Sequence, residues 1–136
     1  MSEQTTRPVT GAGAALPILV KHITQEKINR YAVSSGDDNP LHTDAEFAAS
    51  TRFGGTIAHG MLILAYVSEL LTVAFGERWL SSGRLKSRFR GPARPGDTVT
   101  LSGRVVPCEG DRIRCEVEAR NLAGELLLTA EAEVVN

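Results

Sequence analysis

The segment Gly36-Asp37-Asp38-Asn39-Pro40-Leu41-His42 sets a carboxylate and an imidazole five positions apart around an Asn-Pro pair. Proline fixes its own φ and pushes the residue before it toward extended backbone, so Asp37 and His42 sit on a stiffened, non-helical stretch. A carboxylate accepts a proton from water, an imidazole orients that water or relays its proton, and positioned groups of this kind contribute about 10² to 10⁴ in rate. Asn39 lies between them, with an amide able to hold the loop or the water. The same residues also make an ordinary turn in which Asp37 or Asp38 caps and His42 stands at the mouth of the next helix. Turn chemistry alone leaves both readings open.

A second feature shifts the balance. His59-Gly60-Met61 opens a long apolar stretch. The first N–H groups of a helix have no intrahelical acceptor, and the helix dipole favours negative charge there. Gly60 lacks a Cβ, so a carbonyl gaining enolate character could approach that amide closely, as in an oxyanion hole. Close packing of helix against sheet would also select glycine at this position.

These groups need elements to position them. Leu16 to Ile23 reads as a strand, and Thr24 as the N-cap of a helix running to about Val33. Ser34 to Leu41 is a loop, Asp44 to Ser50 a short helix capped by Asp44 or Thr43, and Gly54-Gly55 a break. From His59 to Phe75 the apolar residues cover nearly every helix face, and Gly76 supplies a stop. Four alternating stretches follow: Leu85 and Phe89 among Arg84, Lys86, Arg88 and Arg90; Val99, Leu101 and Val105; Ile113 to Ala119; and Leu126 to Val134. Pro95-Gly96-Asp97, Gly110-Asp111 and Asn121 to Gly124 are the turns between them. The expected class is α+β: an antiparallel sheet with one polar face, curved around a single buried helix.

At 136 residues with 15 basic and 16 acidic side chains, net charge −1, the chain suits one domain and has no global pull toward nucleic acid or an anionic membrane. Met1 to Ala15 is polar and small-residue-rich, without a secretory pattern, and reads as a disordered tail ahead of a domain over 16–136. The apolar stretch from Gly60 to Phe75 is interrupted by Ser68, Glu69 and Thr72 and is short for a membrane span, so a soluble cytoplasmic protein is expected. A turn at Glu109-Gly110-Asp111 would set Cys115 opposite Val105 or Val106 and away from Cys108, so both cysteines are read as reduced thiols.

The chain resembles the MaoC-like, (R)-specific enoyl-CoA hydratases of the hot-dog superfamily. The resemblance rests on Gly36-Asp37-x-Asn39-Pro40-aliphatic-His42 and the downstream His59-Gly60-Met61 helix start. It extends through Ala48, Phe53-Gly54-Gly55, Ser68, Phe89, Pro92 and Gly96-Asp97, across most of residues 16 to 135. It implies a hot-dog fold whose overhanging segment carries the catalytic loop. It also implies that Asp37 is the general base, that His42 acts with it on one water, that Asn39 supports them and that the Gly60 N–H binds the thioester oxygen. The reaction implied is syn addition of water to a trans-2-enoyl thioester, giving a (3R)-hydroxyacyl thioester, or its reverse. Asp38 fills the variable slot and receives no role.

His59, Met61, Ser68, Arg84, Lys86 and Arg88 are the expected substrate-binding residues. Ser68 has a second reading as a helix serine bonded to its own backbone. The basic stripe, which with Arg94 is the one local concentration of positive charge, reads first as a solvated strand face and second as a contact for coenzyme A phosphates. No cofactor is expected, coenzyme A being part of the substrate. No metal is expected either, because His22, His42 and His59 lack a metal-site spacing. Alternative readings on the same fold are a dehydratase of acyl-carrier-protein or specialised-pathway thioesters, a non-catalytic acyl-CoA-binding module, and a thioesterase. The uncovered sheet edge predicts a homodimer or higher homo-oligomer.

Overall fold

The structure, a computed structural model, describes residues 12–136. Strand β1 (Leu19–His22) is followed by helices α1 (Gln25–Ser35), α2 (Pro40–Thr43), α3 (Ala45–Ala49), α4 (Gly60–Phe75) and α5 (Glu77–Ser82). Strands β2 (Arg84–Phe89), β3 (Thr98–Val106), β4 (Arg112–Arg120) and β5 (Leu126–Val135) complete the chain. The sheet order is β1-β3-β4-β5-β2, with every neighbouring pair antiparallel. This is the expected hot-dog arrangement, and among the described residues no helix is long and apolar enough to cross a membrane.

The alternation in the strands decides which face meets α4. Val99, Leu101 and Val105 of β3, Ile113, Cys115, Val117 and Ala119 of β4, and Leu128, Ala130, Ala132 and Val134 of β5 are buried. Their odd-and-even partners carry the charge: Arg112, Arg114, Glu116, Glu131 and Glu133 line the outer face. Against the inner face α4 buries Leu62, Ile63, Val67, Leu70, Leu71 and Phe75, each fully buried large side chain contributing about 1.5–3 kcal/mol. The helix is buried on fewer sides than its sequence indicated: Met61, Ala65, Glu69 and Val73 recur at every fourth position and form an exposed stripe.

Three differences from the sequence expectations have local causes. The loop ends two residues early, because Pro40 stands at the first position of a helical turn, where a fixed φ and a missing N–H cost nothing. Helix α5 follows the Gly76 stop directly; Trp79 buries its ring and its Nε1–H donates to Ser68 Oγ at 2.9 Å, tying α5 to α4. Residues 1–11 of the expected tail lie outside the described residues, but its last part is paired. Gly13 N–H donates to Val105 O at 2.8 Å, Val105 N–H to Ala14 O at 2.8 Å, and Ala15 bridges Arg104.

The β3–β4 register sets Cys115 opposite Val105, as the turn predicts. Cys108 is exposed and Cys115 buried, and burial pushes the Cys115 thiol up from its ordinary 9.0 to about 11. One thiol per folded chain is therefore expected to react with a disulfide reagent at neutral pH, and two after denaturation; two fast thiols in the native protein would contradict this burial. Because the fold disfavours the thiolate, the Cys115 contribution to stability is complete below about pH 9. It is lost as pH rises from there toward 11.

Candidate active site

The loop between α1 and α2 is shaped by its own side chains. Gly36, at φ 78°, ends α1 in the left-handed conformation and returns its N–H to Ala32 O at 3.0 Å. Asp37 N–H donates to Ser35 Oγ at 3.2 Å, and Asp37 Oδ1 accepts from Asn39 N–H at 3.4 Å. Asn39 Oδ1 accepts from Leu41 N–H at 2.9 Å and so caps α2, the turn that carries His42. Asn39 thus shapes the backbone of this turn.

Longer-range bonds aim the imidazole. His42 Nδ1 lies 2.9 Å from Ile57 O; a carbonyl only accepts, so Nδ1 carries the proton and the neutral ring keeps its lone pair on Nε2. Gln25 Nε2 donates to His42 O at 2.8 Å, while Gln25 Oε1 accepts from Thr56 Oγ1 at 2.7 Å. These bonds stitch α1, α2 and the segment entering α4 together. His59 Nε2–H donates to Asp37 O at 2.9 Å. The His42 and His59 rings stack at 3.8 Å and 24°, and Tyr31 meets His59 edge-on at 4.8 Å and 62°.

One donor atom each from Asp37, His42 and His59 falls within 4.8 Å of the others. Exposure is graded across them: Asp37 is open, His42 half-buried and His59 buried. The sequence spacing did not suggest this gathering, and it raises the question of a cation. Donors around a zinc-sized ion at about 2.0–2.1 Å sit roughly 3.4 Å apart and converge on it. Here two imidazoles lie in nearly parallel planes, and one nitrogen of each is committed to a backbone carbonyl. The set fits proton transfer better: a water between the Asp37 carboxylate and His42 Nε2 could donate to both.

Gly60 begins α4 and is exposed. Among the described residues neither its amide nor that of Met61 has a backbone acceptor, which leaves two N–H groups at the positive end of a 16-residue helix. Close packing also selects the glycine, since a Cβ here would stand 2.9 Å from Cε1 of the Phe89 ring.

The other expected site residues separate. Met61 is 56% exposed beside Gly60. His59 is buried beneath His42, so its contacts are with the protein. Ser68 lies two turns further along α4, about 12 Å at 1.5 Å per residue, and is bonded to Trp79. Arg84, Lys86 and Arg88 are not brought to the cluster: β2–β5 register pairs them with Glu133, Glu131 and Thr129, on the face of the sheet turned away from α4. Lys86 and Arg88 border a groove of about 600 Å³ there, with Arg104, Glu116 and Glu131. Arg94 instead donates to Phe53 O at 2.7 Å. Sequence reasoning missed Gln25, Tyr31, Thr56 and Ile57. A glutamine in the first turn of a helix carries no signal of its own, and Ile57 acts through its carbonyl.

Residues 7–125 match the family described as MaoC like domain. A 3-hydroxybutyryl-CoA dehydratase of Methylorubrum extorquens is 34% identical over 122 residues, 86% of this chain and 75% of that protein. An (R)-specific enoyl-CoA hydratase of Aeromonas caviae is 34% identical over 119 residues, 85% of this chain and 88% of that protein. The solved (R)-hydratase of A. caviae involved in PHA biosynthesis is similar in structure with a TM-score of 0.79 at 29% identity, covering 92% of this chain and 96% of the other.

Proposed function

The chain belongs to the MaoC-like domain family, and from that premise we propose that it hydrates trans-2-enoyl-CoA to (3R)-hydroxyacyl-CoA and runs the reverse dehydration. The observation that carries the reading is the anchoring of His42 Nδ1 on Ile57 O, which leaves Nε2 free to accept, in a cluster where one donor atom each of Asp37, His42 and His59 lies within 4.8 Å of the others.

In the hydration direction Asp37 takes one proton from a water whose second hydrogen His42 Nε2 orients. The water oxygen bonds to C3, and the electron pair of the double bond moves through C2 onto the thioester oxygen. Charge gathers there, where the Gly60 amide and the α4 N-terminus stabilise it. Collapse of this enolate returns the proton to C2 from the same face, which makes the addition syn. The thioester bond stays intact, and the electron count needs no redox partner.

One relative is named for hydration and another for dehydration, the two directions of this reaction. The chain works as a homodimer or higher homo-oligomer in the cytoplasm; β1 and β2 are open edges of the sheet, and exposed Phe89 lies at the end of β2.

An assay over a series of trans-2-enoyl-CoA chain lengths, with chiral analysis of the product, tests this. Loss of the enoyl absorbance with accumulation of the 3R product is expected. A 3S product or release of free thiol would overturn the stereochemical or the hydratase assignment respectively. Running carrier-protein thioesters beside the CoA series separates the two acyl carriers, and a higher kcat/KM on the carrier protein would displace CoA as the substrate.

A further inference from the structure

Among the described residues His59 is the one polar or charged side chain in the buried core, at 2% exposure. Its Nε2–H is spent on Asp37 O at 2.9 Å, which leaves the lone pair on Nδ1, and that atom is buried without a partner. A buried unpaired acceptor costs stability, and a phenylalanine would occupy similar space without that cost. The imidazole must therefore be doing something a core aromatic does not. Asp37 is exposed, and its other hydrogen bonds, with Ser35 Oγ and Asn39 N–H, reach only two residues along the chain. Among the described residues the bond from His59 is the only hydrogen bond tying Asp37 to a segment distant in the chain. The same ring forms the floor under His42, stacked at 3.8 Å, and is itself braced by Tyr31.

We propose that His59 is a positioning residue: its Nε2–H holds the Asp37 backbone and its ring backs His42, so one buried side chain sets the separation and facing of the carboxylate and the imidazole. The inference rests on the hydratase reading for what that pair does, and on the geometry for what His59 does to the pair. A misplacement of about 1 Å in reacting groups costs on the order of 100-fold in rate.

The test compares His59→Phe with His59→Gln in the full chain. Phenylalanine keeps a ring against His42 and has no donor for Asp37 O; glutamine keeps an N–H near the place of Nε2 and has no ring. His59→Phe is expected to lower kcat on a short enoyl-CoA about 10- to 100-fold while KM stays near the wild-type value. Its melting temperature should lie at or above that of the wild type. Hydrogen exchange of the segment 35–42 should accelerate. His59→Gln should recover part of kcat and slow the exchange again. A His59→Phe protein with wild-type kcat and wild-type exchange overturns the proposal, as does a His59→Gln protein no better than His59→Phe in both readings. If the wild type turns over no enoyl thioester while the exchange still loosens in His59→Phe and recovers in His59→Gln, the assigned reaction falls and the positioning role stands.

Discussion

Asp37→Asn and His42→Ala are each expected to lower kcat for enoyl-thioester hydration by about 10²- to 10⁴-fold while leaving the protein folded. The Asp37 side chain makes one intramolecular bond, accepting from Asn39 N–H at 3.4 Å, and the amide oxygen of asparagine can accept that bond equally well. Asn therefore keeps the turn and removes only the base. His42→Ala removes the bond to Ile57 O and the stack on His59, but α2 keeps its Asn39 cap, and Gln25 still reaches the backbone carbonyl at position 42. Because both groups act on one water, the double variant should fall about as far as the worse single variant, and the losses should not multiply. Steady-state kinetics with the melting temperature recorded beside them checks this. Wild-type kcat in both single variants would remove Asp37 and His42 from the mechanism.

Gly103→Ala is expected to cost about 3 kcal/mol in stability, against a total of about 5–15 kcal/mol for an ordinary domain. Gly103 lies in β3 between buried Leu101 and Val105 and is opposite Val117. A Cβ there would stand 2.4 Å from Glu116 O, 2.9 Å from Leu16 Cδ1 and 3.1 Å from Val117 Cγ2. The nearest of these is a backbone oxygen of the neighbouring strand, which cannot rotate aside, so β3 and β4 must part to admit the methyl. Gly60 offers a contrast. There the crowding atoms belong to the Phe89 ring, which is 55% exposed and free to swing outward, so Gly60→Ala should cost far less. Urea unfolding of both variants decides the matter, and a Gly103→Ala midpoint equal to that of the wild type would show that the sheet absorbs the methyl.

Most of the architecture was legible because its causes are local. Period-two burial in β3 and β4 follows directly from Val99, Leu101 and Val105 and from Ile113 to Ala119. Thr24 caps α1 through Lys27 N–H, Asp44 caps α3, and Gly76 ends α4, each within a few residues of the signal. Helix α5 was hidden because six residues carry little periodicity and Trp79 is explained only by the core it enters. In β5 both Leu127 and Leu128 are buried, and the register shift between Ala119 and Arg120 lets adjacent residues break the alternation.

The candidate site divides along the same line. By itself the sequence determined that a carboxylate and an imidazole share one short, stiff segment. Gly36, Asn39 and Pro40 act on their immediate neighbours, and the family motif reads in one continuous run. It determined also that a helix with free amides begins at Gly60. Only the tertiary structure decided which nitrogen of His42 holds the proton, because Ile57 O lies 15 residues away along the chain. It buried His59 and set its Nε2–H on Asp37 O, across a separation of 22 residues. It also placed Arg84, Lys86 and Arg88 on the face opposite α4, since strand register, and no property of the residues themselves, decides which side of a sheet a side chain occupies. Local propensity is written in neighbouring residues, whereas the facing of two groups is set by bonds between distant segments, and those exist only once the sheet has closed around the helix.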